Sequence, residues 1–151
     1  MNLNKPKFWD KKLSLFSILL IPFSLIFCLI VLIKKKLTKN NNIRVPVICV
    51  GNIYLGGTGK TPLSIFLALE FSKLGKKTSI VRKYYKSHSD EFNMIKNNFG
   101  NLIVNKTRLS GLKEAEKNGS KMVILDDGFQ DYKIKKDLNI ICFNSNQLIG
   151  N

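Results

Sequence analysis

One long apolar run near the start is followed by short apolar runs that alternate with helix-like stretches. The long run spans Leu13 to Ile33, 21 residues without a charge, between Lys12 and Lys34. At about 1.5 Å per residue, a helix of that length reaches roughly 32 Å, close to the roughly 30 Å hydrocarbon core of a bilayer. Leu15, Ile18, Leu19, Phe23, Ile26 and Leu29 leave it no polar face, which argues against the core helix of a soluble domain. It also exceeds the apolar stretch of a signal peptide, and no small-residue cleavage site follows. Pro22 is expected to kink a spanning helix, or to mark the bend of a segment that dips in and returns. The expected organisation is a polar lead-in over 1–12, a membrane segment over 13–33, a basic linker over 34–42 and a further domain over 43–151.

Beyond the linker the periodicity predicts strands at Val45–Val50, Thr78–Val81, Leu102–Val104, Met122–Leu125 and Leu138–Phe143. Helices are expected at Pro62–Leu74, Glu91–Asn97 and Leu112–Asn118, with Pro62 in a first turn and Gly75 and Gly119 as stops. Leu63, Phe66, Leu67, Leu69 and Leu74 are expected to face the sheet. Strands alternating with helices imply an α/β fold, a mostly parallel sheet covered on both faces. Gln147 to Asn151 carry no helix or strand signal, and we expect the chain to be the N-terminal portion of a longer protein.

Candidate chemistry sits where the first strand meets the first helix of that domain. Gly56-Gly57-Thr58-Gly59-Lys60-Thr61 follows the run ending at Val50. A glycine-rich loop there turns backbone N–H groups toward one point, and the helix adds its positive end. A lysine in this place meets the β/γ-phosphates, and the next hydroxyl can hold Mg²⁺. The usual loop opens on glycine, whereas Tyr54 stands at that position. The three glycines still give the backbone freedom to wrap an anion. A nucleoside triphosphate is the expected ligand; the bland alternative is a turn with a surface lysine.

A second signal is Ile124-Leu125-Asp126-Asp127-Gly128-Phe129-Gln130. An acid just past a hydrophobic strand can hold Mg²⁺ opposite the loop. Asp126 is the expected holder, and Asp127 could orient substrate or metal. Alone, Asp-Asp-Gly is also an ordinary strand-ending turn. Asp90, beyond the second strand, could take a proton from an attacking hydroxyl. It could equally cap the helix that follows, with Glu91 favouring that helix's positive end. Arg82 and Lys83 could face phosphate or remain solvated, and His88 has no partner identifiable from sequence.

The formal net charge is +15, from 25 Lys and Arg against 10 Asp and Glu. The lysines are scattered, without an aromatic-interleaved stripe, so no nucleic-acid partner is expected. Lysines on both sides of the apolar run suit anionic lipids, and the larger number after it favours a cytoplasmic C-terminal part. Cys28 lies in the apolar run and Cys49 and Cys142 in strands expected to be buried; with no C-x-x-C pair they read as small apolar residues. No protein partner is indicated.

Val50-Gly51-Asn52-Ile53, Gly56 through Pro62, and Ile124 through Gln130 together resemble the tetraacyldisaccharide 4′-kinase family, the lipid A 4′-kinases. The last of these is similar to that family's D-D-G-[LF]-Q signature. The resemblance covers about Lys11 to Asn151. It implies a P-loop kinase on the cytoplasmic side of a bacterial inner membrane. Such a kinase uses ATP and Mg²⁺ to phosphorylate the 4′-hydroxyl of an acylated glucosamine disaccharide lipid. It further implies that Gly56, Gly57, Thr58, Gly59, Lys60 and Thr61 bind the nucleotide, that Thr61 and Asp126 hold the metal, and that Lys60, Asp127 and Asp90 are catalytic. Ser89-Asp90-Glu91-Phe92 stands where the family has G-D-E-P, and Val81 to Tyr85 where it has S-R-G-Y-G, with a short loop between. The family's C-terminal portion supplies a histidine that supports its catalytic aspartate, and this chain stops before it.

Two other readings compete. A membrane-associated positioning ATPase often carries a second lysine early in the loop, where this chain has Leu55. An inactive fragment is the third.

Overall fold

The structure is a computed structural model that describes residues 15–52 and 58–143. Its contacts divide the chain into an N-terminal helical unit and a sheet unit that begins at Lys39.

The helical unit holds α1, Leu15–Leu37, which runs unbroken through Pro22. It contains a 20-residue stretch, Ile18–Leu37, long and apolar enough to cross a bilayer. The helix continues past the expected end at Ile33 to include Lys34, Lys35 and Lys36 in its last turn. Cations there suit the negative end of the helix dipole.

The sheet unit contains β1 (Val47–Asn52), α2 (Lys60–Lys73), β2 (Thr78–Lys83), α3 (Ser89–Asn98), β3 (Leu102–Asn105), α4 (Arg108–Lys117), β4 (Met122–Asp126) and β5 (Leu138–Cys142). The five strands are parallel in the order β3-β2-β4-β1-β5. This is the α/β architecture the alternation predicts. β1 and β4 are near-continuous apolar runs because both of their faces are covered. Val47, Cys49, Val81, Ile103, Val123 and Leu125 pack with Leu112 and Ala115 of α4. Their strand neighbours Ile48, Val50, Ile80 and Ile124 point the other way, toward Ile65 and Ala68 of α2 and Ile95 of α3.

Element ends follow local chemistry. After α2, Gly75 takes the left-handed conformation at φ 74°, and Lys76 N–H donates back to the Phe71 carbonyl, so this helix stops as expected. Thr107 Oγ caps α4 by accepting from Ser110 N–H at 3.1 Å, starting it a turn before the expected Leu112. At α3 the N-cap residue is His88. Asp90 lies inside the first turn and is not the cap, which corrects that alternative. Ile103 packs against α4 at Gly111, where a Cβ would come within 2.7 Å of Val81 Cγ1.

Two expectations fail. The buried face of α2 is Thr61, Ser64, Ile65 and Ala68, whereas Phe66, Leu69 and Leu74 are exposed. The helix is apolar on several sides, so hydrophobicity alone does not fix its orientation; the small Ser64 and Ala68 allow the close approach to the sheet. Leu63 and Leu67 do pack against that core, partly buried. β5 was expected as a covered strand, yet Leu138 and Ile141 are about half exposed, at 50 % and 49 %. It pairs with β1 alone.

Candidate nucleotide site

Parallel strands bring their carboxyl ends to one side of the sheet, where ligands gather in open α/β folds. Here the chain leaves β1, passes over β4 to reach β2, and returns to β4 after β3. β1 and β4 are therefore neighbours, with Val50 opposite Asp126. The loop after β1 leads to α2 on one face, and α4 leads into β4 from the other. The register sets the beginning of α2 beside the end of β4.

Gly59 precedes α2 at φ 76°, in the left-handed region where glycine is unstrained, and its carbonyl accepts from Leu63 N–H at 3.0 Å. Lys60 and Thr61 form the first turn. Thr61 is buried, and its hydroxyl donates to Asp126 Oδ2 at 3.2 Å. Thr58 Oγ is buried without a hydrogen-bond partner among the described residues. Gly56 and Gly57 lie outside the described residues.

Asp126 is the last residue of β4 rather than the first after it, and it is only 1 % exposed. Burial pushes its carboxyl upward, against the pull of Arg82, Lys60 and the Thr61 hydroxyl. Its Oδ1 has no hydrogen-bond partner among the described residues. A buried carboxylate oxygen without a donor costs free energy that a bound cation would recover. This donor set, a carboxylate beside a threonine hydroxyl, is the hard-oxygen chemistry that suits Mg²⁺. The residues present therefore fit the expected metal.

Arg82 is neither solvated nor free to face phosphate alone, and Glu91 does more than sit at a helix start: the two are paired with each other. Arg82, at 3 % exposure, is buried near the carboxyl end of β2. One guanidinium nitrogen, Nη1, lies 3.4 Å from Asp126 Oδ2, while Nη2 donates to Glu91 Oε2. The Phe92 ring lies 5.5 Å from the guanidinium carbon. His88 Nδ1 is 3.4 Å from the same Glu91 oxygen. Burial raises the Glu91 carboxyl, but the Arg82 hydrogen bond and charge, with His88 and Lys60, outweigh it and hold it below the ordinary value. The two acids move in opposite directions because Asp126 is the more deeply buried and shares a longer contact. One available clue was a basic residue continuing a fully buried strand pattern.

Asp127 turns away from Asp126. It adopts φ 61°, a conformation aspartate tolerates better than most residues, and its N–H donates to the Val50 carbonyl at 2.7 Å. Its carboxylate lies 3.6 Å from Arg108 Nη2 at the start of α4. Asp90 is exposed in the first turn of α3, beside Glu91. Lys60, Thr61 and Asp126 are thus brought together, with Asp127 adjacent, while Asp90 reaches the cluster through its neighbour's contact. Close packing supports the β1 end: a Cβ on Gly51 would lie 2.7 Å from the Phe129 ring.

Comparison with known proteins adds an independent line. The family model for tetraacyldisaccharide-1-P 4′-kinase matches residues 16–151. A tetraacyldisaccharide 4′-kinase of Pelagibacter ubique is 47% identical, across 100% of this chain and 48% of its own length. That of Aliarcobacter butzleri is 33% identical, over 87% of this chain and 46% of its own length. A crystal structure of LpxK from Aquifex aeolicus in complex with ATP superposes with a TM-score of 0.69 at 28% identity, over 85% of this chain and 49% of that one. The chain spans about half the length of the curated relatives it matches.

Proposed function

The chain belongs to the tetraacyldisaccharide-1-P 4′-kinase family, and from that premise we propose that it carries the ATP site of a kinase acting on the 4′-hydroxyl of an acylated glucosamine disaccharide 1-phosphate. The observation that carries this reading is the contact of Thr61 Oγ with the buried Asp126, directly after a lysine at a helix start. ATP binding is supported by the likeness to an ATP-bound relative.

In this reading the loop from Gly56 to Gly59 presents backbone N–H groups to the phosphates. Lys60 places its ammonium against the β- and γ-phosphoryl oxygens, and the helix start of α2 adds its partial positive charge. Thr61 and Asp126 hold Mg²⁺, which when bound neutralises charge on the triphosphate. Asp90 accepts the proton of the attacking 4′-hydroxyl. The sugar oxygen forms its bond to the γ-phosphorus as the bond to the β–γ bridging oxygen breaks, releasing ADP. Asp127, oriented by Arg108, lines the phosphoryl side. Most of the rate enhancement is positioning and charge neutralisation.

α1 suits a substrate with acyl chains. Its 23 residues correspond to about 34 Å of helix against a core of roughly 30 Å. Lys34, Lys35 and Lys36 favour a sheet unit on the cytoplasmic side of the inner membrane, where ATP is present. The test is transfer of the γ-phosphoryl group of ATP to the disaccharide lipid by the longer protein that contains this chain. Lys60→Ala and Asp90→Ala are each expected to lower the rate at least about a hundredfold, as loss of a charge-stabilising or base group does. Full activity of Lys60→Ala would overturn the loop assignment.

A further inference from the structure

Holding a triphosphate does not by itself require an arginine beneath the metal ligand. Arg82 nevertheless sits there, 3 % exposed, between Asp126 and Glu91. Removing a guanidinium from water is costly, and apolar residues of similar volume commonly serve a strand at least as well. Its place therefore calls for a role at the site.

Arg82 and Lys60 both act on Asp126 and on Glu91, while the neighbouring acid Asp127 lies 3.6 Å from Arg108 Nη2. A free divalent cation approaching Asp126 meets resident cations, one of them a guanidinium 3.4 Å from Oδ2. The same cation carried by a triphosphate brings its own anions, and these draw Lys60 away from the acids. Asp126 Oδ1 points to a ligand still to come, since it is buried and without a donor among the described residues.

We propose that Arg82 is the resident counter-ion of this site, a positioning residue that holds Asp126 for metal yet keeps a free divalent cation out until nucleotide phosphates arrive. This rests on the nucleotide reading of the site. Through Glu91, the same guanidinium ties the first turn of α3, which bears Asp90, to the end of β4.

The experiment measures Mn²⁺ binding to the nucleotide-free chain by the loss of the free-ion electron paramagnetic resonance signal. The wild-type chain is expected to bind Mn²⁺ weakly. Arg82→Gln is expected to bind it about tenfold more tightly, a change of about 1.4 kcal/mol, and Arg82→Lys, which keeps the charge, is expected to match wild type. A purely structural arginine would give loss of binding, not gain. Equal Mn²⁺ affinity in folded Arg82→Gln and wild type, or an equal gain in Arg82→Lys, overturns the proposal. Should Arg82→Gln not fold, tight nucleotide-free binding by wild type overturns it. A parallel titration of wild type with Mg·ATP separates the premise: no binding there defeats the nucleotide reading, whereas binding without the Arg82→Gln gain defeats only this inference.

Discussion

β4 and β5 flank the same strand, have the same length and read almost alike, as Met-Val-Ile-Leu-Asp and Leu-Asn-Ile-Ile-Cys. Their fates differ. β4 lies between β1 and β2, and Val123, Ile124 and Leu125 are fully buried. β5 is an edge strand whose Leu138 and Ile141 stay half exposed. Apolar content makes both into strands; only coverage by helices and a second neighbour makes one of them core. The difference reaches the chemistry as well. An acid ending the covered strand must find partners inside the protein, so Asp126 collects Thr61 and Arg82. The aspartate just before the edge strand, Asp137, meets the strand beside it: its Oδ2 accepts from Val47 N–H at 2.8 Å.

The sharpest way to break this contrast is truncation of matched positions. Leu125→Ala is expected to cost about 2–5 kcal/mol, through lost burial and the cavity it leaves. Ile141→Ala on β5 is expected to cost about 1 kcal/mol or less, since half its surface already meets water. Urea denaturation of the two variants gives the comparison; equal losses would mean that β5 is as much core as β4.

A smaller effect concerns acid. Glu91, held below its ordinary value of 4.5 by Arg82, contributes stability that is fully present above that value. The contribution is lost as pH falls through the lower folded value. Glu91→Gln is therefore expected to flatten stability against pH below about 4.5 and to leave the slope at neutral pH unchanged. Melting temperatures across that range check it, and an unchanged acid limb would remove Glu91 from the network.

The smallest effect is in thiol reactivity. Burial pushes the Cys49 thiol on β1 up to about 11, whereas Cys142 on β5 is only partly buried. Iodoacetamide at neutral pH is expected to modify Cys142 before Cys49, which reacts only on unfolding, as mass spectrometry would report. Early labelling of Cys49 would show that the β1–β4 region opens more readily than its burial implies.

Much of this was legible in the chain and some was not, for physical reasons. β1 and β4 announce themselves as apolar runs because both faces are covered. The glycine stop after α2 could be read because left-handed backbone needs glycine. The inner face of α2 could not, since small residues rather than large ones meet the sheet. Thr61 and Asp126 could be paired in principle, as loop and strand-end acid, but Arg82 could not be placed. Its partnership depends on β2 lying beside β4, and strand order is set by how helices pack, which no local pattern records. The edge position of β5 was hidden for the same reason.

The central claim is that Lys60, Thr61 and Asp126 grip a metal-bound triphosphate. Calorimetric titration of the chain with Mg·ATP tests it most directly. The account predicts one saturable site, weakened at least about tenfold by Lys60→Ala, a loss of about 1.4 kcal/mol. No binding by the wild-type chain, or undiminished binding by Lys60→Ala, would contradict it.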